Sequence, residues 1–277
     1  MNRLNIGARA HDLNGNSLQA IIDEARVLGL DGLQLAIHKT WEADWQARDE
    51  EAIVASIHHL QCSGLSLFLL ASYFNPAHSS PDVLARELER VRFTIAVASK
   101  SGVAAVGSET GSLNDDDWTW HPDNHGEAAF LTVEQTLSQL RPSLVMHDRH
   151  FLVEAVSDHI IHDAHRLAQL NARLGARFQV TLDLANLLNA GNATRWREVL
   201  EHFLLTHGGQ IRLLHFKNFI LKDGLKVPVG LEEGIIDYAW VLERLERLQL
   251  SHIPIIVEEL TGTALAESVR YLRGLSG

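Results

Sequence analysis

The sequence predicts an α/β protein, a single (β/α)8 TIM barrel formed by residues 1–277. Eight short apolar runs alternate with amphipathic helical patterns along the chain, and no linker rich in Pro, Gly or Ser interrupts them. The length of 277 residues suits one barrel of roughly 250 residues. Four of the later runs stay apolar for a strand's length and then end in a polar residue, as strands buried on both faces of a parallel sheet do where they emerge. An open doubly wound sheet would show the same alternation. Its usual fingerprints, G-x-G-x-x-G after the first strand and G-x-x-x-x-G-K-[ST], are absent.

The elements follow in order. After a first strand near Leu4–Gly7, Ser17 can cap a helix through about Leu28, and Gly29 and Gly32 mark its end before Leu33-Gln34-Leu35-Ala36-Ile37. A helix over about 49–61 stops near Gly64 and leads into Leu65–Leu70. Pro81 opens a third helix, which runs to about Lys100, and Val103–Val106 follows as a strand. Helical patterns over about 127–146, 158–174 and 194–207 precede the strands Phe151–Val153, Phe178–Asp183 and Ile211–His215. A helix over about 238–248 leads into Ile253–Val257, and a closing helix covers about 264–272. The irregular stretch from Gly111 to Gly126 is long for a compact domain and holds Trp118 and Trp120, which reads as a functional loop.

Composition excludes several classes. A net charge of -11 argues against a protein that grips a nucleic-acid backbone, since phosphate contacts need clustered Lys and Arg. No run approaches the roughly 18–20 apolar residues of a membrane span, and the N-terminus has no secretory apolar region, so a cytoplasmic protein without a membrane or nucleic-acid partner is expected. Association of identical copies is left open. The one cysteine, Cys62, rules out a disulfide within the chain and a thiolate metal cluster, and reads as a small buried apolar residue.

The strand ends carry the chemistry. Glu154, Asp183, His215 and Glu258 each terminate an apolar run, and in a barrel of parallel strands these tips converge on one face. Convergence is costly, because two like unit charges about 4 Å apart repel by about 4 kcal/mol at an effective dielectric of 20. Protons or a cation must offset it. Three carboxylates and one imidazole suit one divalent ion, Mn²⁺ first, with Mg²⁺, Co²⁺ or Zn²⁺ as alternatives. Any one of the four taken alone reads equally well as a polar strand end or a helix cap.

Val106-Gly107-Ser108-Glu109-Thr110-Gly111, Val153-Glu154, Leu182-Asp183, Leu214-His215-Phe216-Lys217-Asn218 and Val257-Glu258, with the glycine-rich turn Gly230-Leu231-Glu232-Glu233-Gly234, resemble the xylose isomerase-like barrel superfamily, particularly its ketose 3-epimerase and inosose isomerase or dehydratase branches. The resemblance spans essentially the whole chain. It implies a single divalent metal held by Glu154, Asp183, His215 and Glu258, with Glu154 and Glu258 as the acid and base. The chain departs from the pattern at Asp183-Leu184-Ala185-Asn186, where many sugar epimerases have Asp-x-x-His. Asn186 and the missing Asp-x-His after the seventh strand also argue against the trinuclear zinc site of endonuclease IV, a member of the same superfamily.

The expected activity is therefore isomerisation or epimerisation of a small sugar or polyol-derived carbonyl compound by proton transfer through an enediolate. An inosose-type dehydratase, an endonuclease IV-like phosphodiesterase and a non-catalytic sugar-binding barrel stand as alternatives. Glu109, His159, Asn186, Lys217, Trp118 and Trp120 are the substrate-binding candidates. Of His159, His162 and His165, read on one helix, only the first is expected near the mouth, and the other two on a solvated face.

Overall fold

The computed structural model describes residues 3–15, 17–115 and 117–276; Asp116, within the long irregular stretch, lies outside them. Eight parallel strands close into a barrel: β1 (Ile6–Arg9), β2 (Gly32–Leu35), β3 (Ser66–Ala71), β4 (Ala105–Glu109), β5 (His150–Glu154), β6 (Phe178–Asp183), β7 (Ile211–Phe216) and β10 (Ile255–Val257), which pairs back onto β1. Strands β8 (Asn218–Lys222) and β9 (Leu225–Val229) form a separate antiparallel hairpin between β7 and the last barrel strand. The barrel is built from Val, Ile and Leu that are buried almost without exception, which is why the strands read as continuous apolar runs.

Helices sheathe the barrel. Helix α1 (Leu18–Val27) begins where Ser17 accepts a bond from the Ala20 amide. The second crossover holds three helices, α2 (Ile37–Thr40), α3 (Glu42–Ala47) and α4 (Glu50–Cys62), where one was expected over 49–61. Then come α5 (Pro81–Lys100), capped by Ser80 with Pro81 in its first turn, α6 (Glu127–Ser138), α7 (Arg141–Met146), α8 (Ala164–Leu174), α9 (Leu184–Leu187), α10 (Trp196–His207), α11 (Tyr238–Arg247) and α12 (Gly262–Leu275). Their inner faces repeat at helical spacing, as Val91, Ile95 and Ala98 do on α5 and Leu167, Leu170 and Leu174 on α8. Each fully buried Leu or Ile contributes about 1.5–3 kcal/mol relative to exposure. None of the described helices is long and apolar enough to cross a membrane.

Four local expectations are corrected. The helix expected over 127–146 is two, α6 and α7, because Pro142 cannot donate its backbone hydrogen bond and the chain turns before Arg141. The helix expected from 158 begins only at Ala164, where Asp163 caps it by accepting from the Arg166 amide. His159 and His162 therefore precede the helix, and His165 alone lies on it. Cys62 is exposed rather than buried, since it falls on the outer face of α4, opposite Ile53, Ile57 and Leu60. The β8/β9 hairpin was not anticipated, because Pro228 and the charges of Lys222, Asp223 and Lys226 obscure its alternation.

Candidate active site

Parallel pairing brings the strand ends to one face. In register, Glu109 stands opposite Glu154 on β4 and β5, Asp183 opposite His215 on β6 and β7, and the Glu258 amide bonds the Phe216 carbonyl just past β10. Glu154, Asp183, His215 and Glu258 are all buried. Glu154, Asp183 and His215 each offer a ligand atom within 4.8 Å of the others. His215 Nδ1 joins Glu258 to them, lying 3.1 Å from Glu154 Oε2 and 3.2 Å from Glu258 Oε1.

The remaining atoms of these groups are fixed by the protein. His215 Nε2 is 2.8 Å from Gln34 Oε1, so Nε2 donates to that amide oxygen and Nδ1 faces the carboxylates. Asp183 Oδ1 caps α9 by accepting from the Asn186 amide, and Asn186 Nδ2 donates to Glu154 Oε1 at 2.6 Å. What is left over is informative: Asp183 Oδ2 and His215 Nδ1 are shielded from solvent and make no hydrogen bond. Carboxylates clustered around an imidazole nitrogen attract positive charge, part of which Lys217 Nζ supplies from 3.3 Å beyond Asp183 Oδ2. Three carboxylates and an imidazole with these two unsatisfied atoms fit a divalent ion.

The charge states agree. Burial opposes charge on His215, yet Glu258 and Glu154 outweigh it and raise the imidazole to about 9, so the site favours positive charge at Nδ1. Burial would raise Glu154, but His215 holds it below the ordinary carboxylate range. Asp183 rises to about 6 through burial, against the pull of Lys217. Burial, with Glu154 adding to it, carries Glu109 up to about 8.

Around this set, Lys217 Nζ lies 3.3 Å from Asp183 Oδ2 and 2.7 Å from Glu259 Oε1. Glu259 holds a left-handed backbone, φ 58°, directly after Glu258, and that conformation turns two successive carboxylates toward the mouth. Lys217, Asn186, Lys226 and Glu259 line a cleft of about 230 Å³ beside Asp183. A larger cleft of about 590 Å³ lies against α12, away from the converging carboxylates. His159 is buried, with Nε2 3.7 Å from Glu109 Oε2 and its ring edge-on to Trp118 at 6.2 Å; burial pushes it down to about 4, so it is neutral. Trp118 thus reaches toward the site through His159, whereas Trp120 is 55% exposed and has no ring contact among the described residues. His162 stacks on His125 at 3.6 Å, away from the carboxylates, and His165 is exposed.

Sequence reasoning missed Gln34, Tyr73, Arg9 and Lys226. Gln34 Nε2 donates to Tyr73 Oη at 2.7 Å, and Arg9 clamps Asp12 while standing 3.9 Å from Glu258 Oε2. A glutamine inside the run Leu33–Ile37 was a usable signal, because an amide in an otherwise apolar strand needs a buried partner. Lys226 crosses from the unanticipated hairpin to donate to the Ala185 and Leu188 carbonyls at 3.0 and 2.9 Å.

The sequence profile of the xylose isomerase-like TIM barrel family matches residues 22–275. No curated protein matches the chain. Among solved structures, a D-tagatose 3-epimerase-like protein superposes with a TM-score of 0.76 at 14% identity, over 98% of this chain and 97% of its own. The probable 3-DHS dehydratase AsbF from Bacillus anthracis gives 0.74 at 13% identity, over 97% and 98%. Endonuclease IV from Thermus thermophilus gives 0.69 at 17% identity, over 98% of each chain. At these identities the likeness is one of fold.

Proposed function

Because the chain belongs to the xylose isomerase-like TIM barrel family, we propose that it is a divalent-metal-dependent isomerase or epimerase of a small polyhydroxylated carbonyl compound. One observation carries the reading: Glu154, Asp183, His215 and Glu258 converge at the barrel mouth with Asp183 Oδ2 and His215 Nδ1 buried and unsatisfied. A divalent ion held by these four residues would polarise the substrate carbonyl and stabilise negative charge developing on it.

The protein's own groups supply the rest. Glu154 and Glu258 leave the barrel from strands separated by β6 and β7, so they approach the cavity from different directions. One takes the proton α to the carbonyl and the other returns it to the planar enediolate, each step contributing roughly 10²- to 10⁴-fold. Asn186, bonded to Glu154 Oε1, orients that carboxylate toward Nδ1 of His215 with its second oxygen. Lys217 places an ammonium beside Asp183 and lends positive charge to the same region. Glu109, opposite Glu154 on the neighbouring strand, can hydrogen-bond a substrate hydroxyl. The D-tagatose 3-epimerase-like protein among the structural neighbours supports this reading, and the probable 3-DHS dehydratase marks the nearest variant, loss of a β-hydroxyl from the same enediolate.

Turnover in D₂O tests the chemistry. Product and recovered substrate should acquire deuterium α to the carbonyl, because a carboxylic acid exchanges its proton with solvent. Glu154→Gln and Glu258→Gln should each lose at least 100-fold in kcat, with bound metal measured in both. Complete turnover without label would point to hydride transfer and overturn the assignment of both glutamates.

A further inference from the structure

The β8/β9 hairpin lines the cleft of about 230 Å³ through Phe219, Lys226 and Pro228, and Asn186, Lys217 and Glu259 line it as well. The cleft adjoins the carboxylate set, because Asn186 Nδ2 holds Glu154 Oε1 at 2.6 Å and Lys217 Nζ lies 3.3 Å from Asp183 Oδ2. A molecule whose carbonyl end lies at Glu154, Asp183, His215 and Glu258 can extend its other end into this space.

The lining residues keep spare hydrogen-bonding capacity of both kinds. Lys226 Nζ gives two hydrogens to the Ala185 and Leu188 carbonyls and stands 5.4 Å over the Phe219 ring, so its third hydrogen has no oxygen partner among the described residues. Asn186 donates to Glu154, and Glu259 accepts from Lys217 through Oε1 alone. Asn186 Oδ1 and Glu259 Oε2 therefore accept nothing among the described residues. A spare donor beside two spare acceptors suits hydroxyl groups, each of which donates one hydrogen and accepts two. Phe219 and Pro228 offer apolar surface to the carbon chain between those hydroxyls.

The charge of the cleft is already balanced. Lys217 is held by Glu259 at 2.7 Å, and Lys226 has Asp183, Asp158 and Glu259 as its acidic neighbours against Lys217 as its basic one. A phosphate or carboxylate entering the cleft would meet the Glu259 carboxylate and find no free ammonium to offset the repulsion. We propose that this cleft binds the end of the substrate remote from the carbonyl, that this end carries hydroxyls rather than a phosphate or carboxylate, and that Lys226 and Glu259 impose the preference. This rests on the isomerase or epimerase reading and narrows its substrate class to uncharged sugars and polyol-derived carbonyl compounds.

The test is calorimetric binding to the full chain loaded with Mn²⁺, its occupancy measured beforehand, using dihydroxyacetone, D-fructose and D-fructose 6-phosphate. The first has the ketose end without the tail, and the last carries phosphate on the terminal hydroxyl. Fructose should bind at least tenfold more tightly than either. Lys226→Met should erase the advantage over dihydroxyacetone without changing Mn²⁺ or dihydroxyacetone binding, while Lys226→Arg should keep most of it. Because Lys226→Met also cuts the hairpin's bonds to two carbonyls, Glu259→Gln serves as a second variant with those bonds intact. It should narrow the gap between fructose and its phosphate at least threefold, and variant-to-parent ratios cancel the ligands' different ring closure in solution. Fructose binding no tighter than dihydroxyacetone or than its phosphate, or either variant leaving its ratio unchanged or weakening all three ligands alike, would overturn the cleft assignment and leave the proposed function standing. Failure of all three to bind the metal-loaded protein would overturn the polyhydroxy-carbonyl reading and this inference with it.

Discussion

Gln34 and His215 are 181 residues apart in sequence, yet their 2.8 Å contact decides which imidazole nitrogen faces the carboxylates. Gln34→Ala removes the group that fixes that tautomer, so divalent-metal affinity should fall by roughly 10–100-fold while the fold persists, as titration with Mn²⁺ would measure. Asp183→Ala should cost more, because it removes one of the four proposed ligands together with the α9 cap. A different histidine contributes to acid sensitivity. Burial, reinforced by Arg90, Lys39 and His11, lowers His38 from 6.5 to about 4, so the folded state keeps it neutral where the unfolded chain takes up a proton. Its contribution is intact above pH 6.5 and is lost as pH falls toward 4. The Tm of His38→Gln should accordingly fall less than that of the parent between those pH values, and parallel Tm curves would count against the assignment.

At the scale of elements, the β8/β9 hairpin and the loop after β4 shape the mouth. Lys226 ties the hairpin to α9 and its C-terminal end through two carbonyls, and Lys226→Ala should speed amide exchange across 218–229 by about tenfold, the size of one charge-assisted hydrogen bond of roughly 1.5 kcal/mol. Asn218 anchors the hairpin's other end by donating to the Leu231 and Ile236 carbonyls and accepting from the Phe219 and Ile236 amides. Gly234 packs so closely on it that an added Cβ would lie 2.2 Å from Asn218 Oδ1. The glycine is there for that approach. In the long loop, Trp118 adopts φ 51°, unfavourable for a bulky residue, and presents its ring to His159. Trp118→Ala should weaken substrate binding with metal affinity unchanged, whereas the exposed Trp120 should tolerate the same change, as Kd measurements on both variants would reveal.

For the whole molecule, closure depends on close backbone approach between the first strands. A Cβ on Gly32 would meet the Ser66 carbonyl oxygen at 2.5 Å and the Phe68 ring at 2.7 Å, and one on Gly7 would meet the Gly32 carbonyl oxygen at 2.4 Å. Gly32→Ala should therefore destabilise by about 1–3 kcal/mol through overpacking, lowering Tm by several degrees. An unchanged Tm would mean that the β1–β3 wall can yield.

The apolar runs, their spacing and their polar ends were enough to read eight strands of a parallel sheet buried on both faces, and missing nucleotide-loop fingerprints favoured a barrel over an open sheet, but closure itself is a matter of β10 pairing with β1. The same reading singled out Glu154, Asp183, His215 and Glu258, whose positions at strand tips are local facts. Their distances, the orphaned Nδ1 and Oδ2, and the Gln34–His215 contact were decided only when the barrel closed, since each joins residues from different strands.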